Sequence, residues 1–147
     1  MPAAQNLRMA DFPKDIFTEP EFDPDTLANL GPLSGMGGIW EGLKGTDEHP
    51  VAEGSETDEF LERCELQPID PQTNGPQLFY GLRYHTHIVK PGEVQTFHDQ
   101  VGYWLWEPAA KTVYQTLAIP RSQVAMASGP AEPDARRFTV RSQSPSR

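Results

Sequence analysis

The pattern of apolar and polar positions changes character along this chain, and it is clearest in the middle. From Leu78 the residues alternate: Leu78, Tyr80, Leu82, Tyr84 and Ile88 fall on one face, and Phe79, Arg83, His85 and His87 on the other. A period of two predicts a strand, because successive side chains of extended backbone point to opposite faces. A second alternating run extends from Val94 to Trp106. Phe97, Val101, Tyr103 and Leu105 oppose His98, Gln100, Gly102, Trp104 and Trp106. Between the runs, Lys90-Pro91-Gly92-Glu93 predicts a hairpin turn: Pro presets the first central position and Gly accepts a positive φ at the second. Residues Val113 to Ile119 predict a third strand after a turn over Glu107–Lys111. Gln123 to Ser128 predict a fourth after the break at Pro120.

The flanks are less regular. Gly35, Gly37, Gly38, Gly42 and Gly45 surround Ile39, Trp40 and Leu43, a density that argues against a helix and suits a bent strand close to other backbone. Residues 55–66 fit two patterns: Phe60, Leu61 and Cys64 as a helical stripe, or Phe60, Cys64 and Leu66 in alternation. Neighbouring strands favour a strand here as well. Pro68 to Pro76, rich in Asp, Asn, Gly and Pro, predicts a turn. Before Leu33 lies a proline-punctuated lead-in with scattered apolar residues, Phe12, Ile16, Phe17 and Phe22, whose aromatics are expected to pack on the barrel. One short helix is expected over 25–31, capped by Asp25 or Thr26 and ended by Gly31. Phe138-Thr-Val-Arg141 begins another strand, and Ser142–Arg147 is polar. The expected organisation is an irregular segment 1–32, a β-domain 33–141 and a tail 142–147.

Strands that follow one another through short turns, with no helix-length gap, make an antiparallel meander. Large residues on both faces of 94–106 would leave one apolar face wet in an open sheet. A closed barrel with an occupied interior accounts for them. The expected fold is all-β, an antiparallel up-and-down barrel. Its six or seven good strands are few for a ligand cavity, so the barrel is expected to be incomplete at its C-terminal end.

Composition sharpens this picture. Hydrophobic residues make up only 37 %, and there are 15 Pro among 147 residues. Residues 35–128 nevertheless hold all three Trp, all four Tyr and three of the seven Phe, which concentrates core material in roughly 90–100 residues. A formal charge of −9 argues against a non-specific nucleic-acid binder and against docking on anionic membrane. The single cysteine, Cys64, excludes an internal disulfide, and no Cys cluster suggests structural zinc. No apolar run approaches a membrane span, and the N-terminus lacks the basic and apolar parts of a signal peptide, so a cytoplasmic protein is expected.

Few residues suggest chemistry. His85 and His87 share a strand face, which can chelate a metal or merely present two polar residues beside Arg83; with no Cys or carboxylate cluster nearby in sequence, no metal site is assigned. His98 shares a face with Gln100 and Trp104, the make-up of an apolar pocket with a few orienting polar groups. The alternative is an exposed His98-Asp99 pair at a strand start. No Gly-x-Ser-x-Gly elbow occurs, and Gly35-x-Gly37 precedes no helix. Glu59 and Glu62 read as a solvated face, and Cys64 as a small core residue. No catalytic residue is assigned.

The order of features resembles one family. Gly38-Ile-Trp40-Glu-Gly42, then Gly45 and Glu48-His-Pro50, resembles the Gly-x-Trp-x-Gly-x-Gly signature and Tyr-Pro step that open the nitrobindin barrel, also called the THAP-type haem-binding barrel. His98-Asp-Gln-Val-Gly102-Tyr103-Trp104 resembles its His-x-x-x-Gly-Tyr/Phe-Trp/Phe strand. Thr116–Pro120 and Val124–Gly129 resemble the next two strands. The resemblance covers about residues 30–130 and implies a barrel of lipocalin or fatty-acid-binding-protein shape holding one haem b. It also implies nitric oxide binding and isomerisation of peroxynitrite to nitrate in active members, with a His near the C-terminus on the iron and a Thr after the Tyr-Pro step near the haem. Here Val51 stands at the Thr position, and none of His49, His85, His87 and His98 matches the axial His. The expected function is therefore binding of haem, weakly, or of another apolar ligand, by a pocket that includes Trp40, Val51, His98, Gln100 and Trp104. Only His98 is a credible substitute iron ligand. The alternatives are a peroxynitrite isomerase and a shortened barrel without activity, whose exposed strand edges would invite pairing with another chain.

Overall fold

A computed structural model describes residues 24–142. A short helix α1 (Pro24–Ala28) and a 3-10 turn (Gly31–Leu33) lead into seven strands: β1 (Gly38–Val51), β2 (Gly54–Asn74), β3 (Gln77–Val89), β4 (Thr96–Glu107), β5 (Thr112–Ile119), β6 (Gln123–Pro130) and β7 (Arg141–Ser142). They form one sheet in chain order, each strand antiparallel to the next. Among the described residues β1 and β7 are its two edges, so the fold is an all-β up-and-down half-barrel, incomplete as the strand pattern predicts. The aromatics expected to pack on the barrel from the lead-in, Phe12, Phe17 and Phe22, lie outside the described residues.

Local chemistry explains most of the turns. The Glu93 amide donates to the Lys90 carbonyl at 3.0 Å, and Gly92 sits at φ 78°, as a Pro-Gly turn requires. After it, β4 begins at Thr96 and not at Val94, which is 97 % exposed. The expected turn over Pro68–Pro76 is instead the end of β2, and the connection shrinks to Gly75-Pro76, with Gly75 at φ 58°. Two features let the proline-rich stretch stay extended. β3 supplies partners as far as Gln77, and Pro71 falls inside the register shift between Ile69 and Gln72, where the ladder is already interrupted. The expected helix is shorter and starts earlier. Asp25 and Thr26 lie within α1 instead of capping it, and Gly31, at φ 56°, opens the 3-10 turn. The strand expected from Phe138 pairs with β6 only at Arg141 and Ser142. Even so, the Thr139 carbonyl sits where a Cβ on Gly129 would be.

Directly opposed residues of an antiparallel sheet share a face, so the register sorts the side chains. The concave face carries the core: Leu66, Leu82, Tyr84, Trp106 and Val113, with Leu30, Leu33 and Ala131 closing one end and Phe138 and Val140 packed against them. Packing reaches back to Thr26, which is fully buried with its hydroxyl unpartnered.

The convex face has a smaller buried patch. Phe79 and Tyr114 meet edge to face at 5.9 Å, and the buried Glu107 accepts from the Tyr114 hydroxyl at 2.9 Å and from Gln77 at 3.3 Å. Burial, and then the Glu107 hydrogen bond, push the Tyr114 phenol above its ordinary value of 10.0. The protonated phenol is thus favoured by folding. Its contribution is complete below pH 10 and is lost as pH rises through the higher folded value. Tyr114→Phe is expected to lose about 1.5 kcal/mol at neutral pH, the worth of a hydrogen bond to a charged group, and to flatten the alkaline decline in stability. Urea melts of both proteins between pH 8 and 11 check this; parallel declines would exclude Tyr114 as the source.

Candidate functional site on the concave face

Five cross-strand rows run over the concave face. The deepest is Tyr80, Trp106, Val113 and Gly129; the next is Pro68, Leu82, Trp104, Gln115, Ala127 and Ser142. The third holds Gly38, Leu66, Tyr84, Gly102, Leu117 and Ala125. Above it come Trp40, Cys64, Thr86 and Gln100, and then Gly42, Glu62, Ile88 and His98. The lower rows are packed and the upper rows open. Trp106 is 2 % exposed, whereas Trp40 is 54 % exposed although its indole Nε1 donates to the Met36 carbonyl at 2.8 Å.

Trp40 and Gln100 thus stand in one row across four strands, with His98 in the next row. Trp104 lies two rows below Gln100, where its ring meets Tyr84 at 6.5 Å and Phe138 at 6.0 Å. Val51 is not brought to this group. It pairs with Gly54 at the tip of the β1–β2 hairpin. Further down β1, at its Gly42–Gly45 bulge, an open cleft of about 540 Å³ lies between Gly42, Gly45, Phe60 and Glu62. The Phe60 ring covers Gly45 so closely that a Cβ there would collide with it.

The polar groups of the face form a chain. His98 Nε2 lies 3.5 Å from Gln100 Oε1, and Gln100 Nε2 donates to the Tyr84 hydroxyl at 2.6 Å. Gln115 Nε2 reaches the same hydroxyl at 3.4 Å from β5, and Thr86 Oγ1 donates to Cys64 Sγ at 3.3 Å. Asp99 belongs to a different group: it pairs with His85 at 2.8 Å on the convex face, not with His98. His85 and His87 stack there at 6.0 Å, and among the described residues no group of three His, Cys, Asp or Glu side chains is arranged to hold a metal ion. His49 lies 3.2 Å from Asp47, toward the tip of the β1–β2 hairpin.

Sequence reasoning missed Tyr84 and Gln115. Alternation puts Tyr84 on the Leu82 face, but only the register brings it opposite Gly102 on β4 and within reach of Gln115 on β5.

A family model described as "THAP4-like, heme-binding beta-barrel domain" matches residues 29–147. The chain belongs to this family. No curated protein and no solved structure matches it. The matched span begins just before the 3-10 turn and takes in every strand, so the family domain and the half-barrel coincide. Two side chains of its concave face have chemistry that a haem would call on. Trp40 presents a half-open aromatic surface there, and His98 is a half-buried imidazole nitrogen donor on the same face. His85 and His87 point away from that face, and His49 is engaged by carboxylates.

Proposed function

We propose that this chain is a ligand-binding module whose concave face takes up one apolar, planar molecule, haem or another of that shape, without turning it over. The observation that carries this reading is Trp40. A large aromatic side chain is held by its Met36 hydrogen bond yet left half open, above rows that are packed shut. An apolar wall with a few convergent polar groups is the usual make-up of a small-molecule site. In this reading Trp40 and the Ile88 row grip the ligand body and Gln100 orients it. A bound haem supplies an iron centre able to take nitric oxide.

Titration with ferric haem, followed at the Soret band, tests the reading. Wild type is expected to sharpen the band at micromolar haem. Trp40→Ala should weaken uptake about tenfold, equivalent to 1.4 kcal/mol, or roughly 55 Å² of apolar contact. Equal affinity in the variant would move the ligand elsewhere. The second reading, a haem enzyme isomerising peroxynitrite, is favoured by the position of His98 on this face. It requires the Soret position to change in His98→Ala, and an unchanged spectrum eliminates it.

A further inference from the structure

The cleft at the Gly42–Gly45 bulge is lined by a carboxylate that nothing in the fold engages. Glu59 and Glu62, which read from the sequence as one solvated face, are three residues apart on β2 and so point to opposite faces. Glu62 falls on the concave face, between Gly42 on β1 and Ile88 on β3, with His98 next in the row. It is half-buried, and it lines the cleft of about 540 Å³ together with Phe60. Among the described residues no hydrogen bond or ion pair holds its carboxylate. Arg63 beside it pairs with Glu41 and Glu65 on the other face, and Lys90 pairs with Asp58. Lys44 also lines the cleft, but it is exposed and makes no ion pair with Glu62 among the described residues. The neighbours of Glu62 on its own face are aromatic. Phe60 lies two residues along β2, its ring covering Gly45, and Trp40 stands diagonal to Glu62 in the next row, 54 % exposed. A carboxylate beside aromatic faces favours a cation, because the charge and the ring quadrupoles both attract positive nitrogen. The same surroundings repel an anion.

We propose that Glu62, with Trp40 and Phe60 beside it, is the charge-recognising residue of the concave site, and that its ligand is a flat apolar body carrying a positively charged nitrogen. The inference rests on the ligand-binding reading above and adds the sign of the charge at the ligand's polar end. Gly42 keeps the approach open. A Cβ there would meet only the Glu62 Cβ, at 3.9 Å, so no side chain covers the carboxylate from the facing position of β1. The carboxylates farther out along the hairpin are already engaged. Lys90 holds Asp58 at 2.7 Å, and His49 stands 3.2 Å from Asp47 and 4.0 Å from Glu56, which leaves Glu62 to meet the ligand. The formal charge of −9 acts in the same direction by raising the local concentration of cations.

The test uses three probes of one shape and different charge: 1-pyrenemethylammonium, 1-pyrenemethanol and 1-pyrenecarboxylate. Each is titrated against the full chain at pH 7 by quenching of tryptophan emission. Wild type is expected to bind the cation about fivefold more tightly than the alcohol, and the anion more weakly than either. Glu62→Gln keeps the side chain's shape and removes its charge. In this variant the ratio of cation to alcohol affinity should fall to within about twofold of unity, while the alcohol's own affinity stays within about twofold of wild type. Glu59→Gln, the same change of charge on the opposite face of β2, reports the field of the whole protein and should leave the ratio near its wild-type value. A cation that binds wild type no better than the alcohol overturns the inference and leaves the site standing. So does a ratio unchanged in Glu62→Gln, or one lowered equally in both variants. Failure of all three probes to bind wild type overturns the concave site and the inference with it.

Discussion

Trp106→Ala is expected to destabilise the protein by about 3–5 kcal/mol, the usual cost of deleting a large buried aromatic side chain and leaving a cavity. Trp106 is 2 % exposed and stands in the deepest concave row between Tyr80 and Val113. It also holds the entry segment in place. A Cβ on Gly31 would lie 2.5 Å from the Trp106 Nε1, so the 3-10 turn rests directly on the indole. Removing the ring takes away core volume and the surface on which Leu30 and Leu33 are anchored. Domains of this size hold about 5–15 kcal/mol in total, so the loss is a large part of the whole. Urea titration should show a lower midpoint with little change in slope. A loss below about 1 kcal/mol would mean that the stability of the half-barrel is centred elsewhere. Trp106→Phe, which keeps a ring, should lose markedly less.

The second large effect is expected at Gly102. A Cβ built there collides with the Thr116 carbonyl and its carbon on the facing strand β5. Backbone cannot give way as a flexible side chain can, so β4 and β5 must separate. The same Cβ would enter the space opposite Tyr84. Gly102→Val is therefore expected to cost about 3 kcal/mol or more, the upper end of overpacking penalties. In a chain of this length that lowers Tm by roughly 6 °C or more. Gly35 is the control. Its position leaves nothing within 4 Å of an added Cβ, and it is exposed. Gly35→Ala should stay within about 0.5 kcal/mol of wild type. Equal melting temperatures for the two variants would show that β4 and β5 do not approach this closely.

The two sites show what kinds of information the chain carries locally. Alternation at 78–88 and 94–106 locates β3 and β4, and Pro91-Gly92 locates the hairpin between them, because side-chain direction and turn geometry are properties of a few adjacent residues. The same local reasoning misreads Pro68–Pro76. Turn-forming residues there stay extended because β3 offers a partner along the whole stretch and a bulge absorbs Pro71. A tertiary partner outweighs local preference where the pairing is long.

The family is legible in Trp40 with its flanking glycines and in the His98–Trp104 strand, and the family match over residues 29–147 agrees. The candidate site is legible only in part. Trp40, His98, Gln100 and Trp104 each fall on the concave face, but Trp104 is drawn into the packed rows by Phe138, and Val51 is carried to the hairpin tip. Phe138 comes from a segment with almost no strand pairing of its own, so no periodicity marks its destination.

By itself, then, the sequence determined the central strands β3 to β6, the direction each side chain takes from them, the meander order and the net negative charge, since all of these follow from neighbours in the chain or from composition. Tertiary structure alone decided which residues stand opposite one another. Register is a relation between strands, and it is set by pairing over the length of a hairpin and by bulges such as those at Gly42–Gly45 and Ile69–Gln72. That relation places Gly102 opposite Tyr84, and with it the hydroxyl that three strands hold between two glutamine amides.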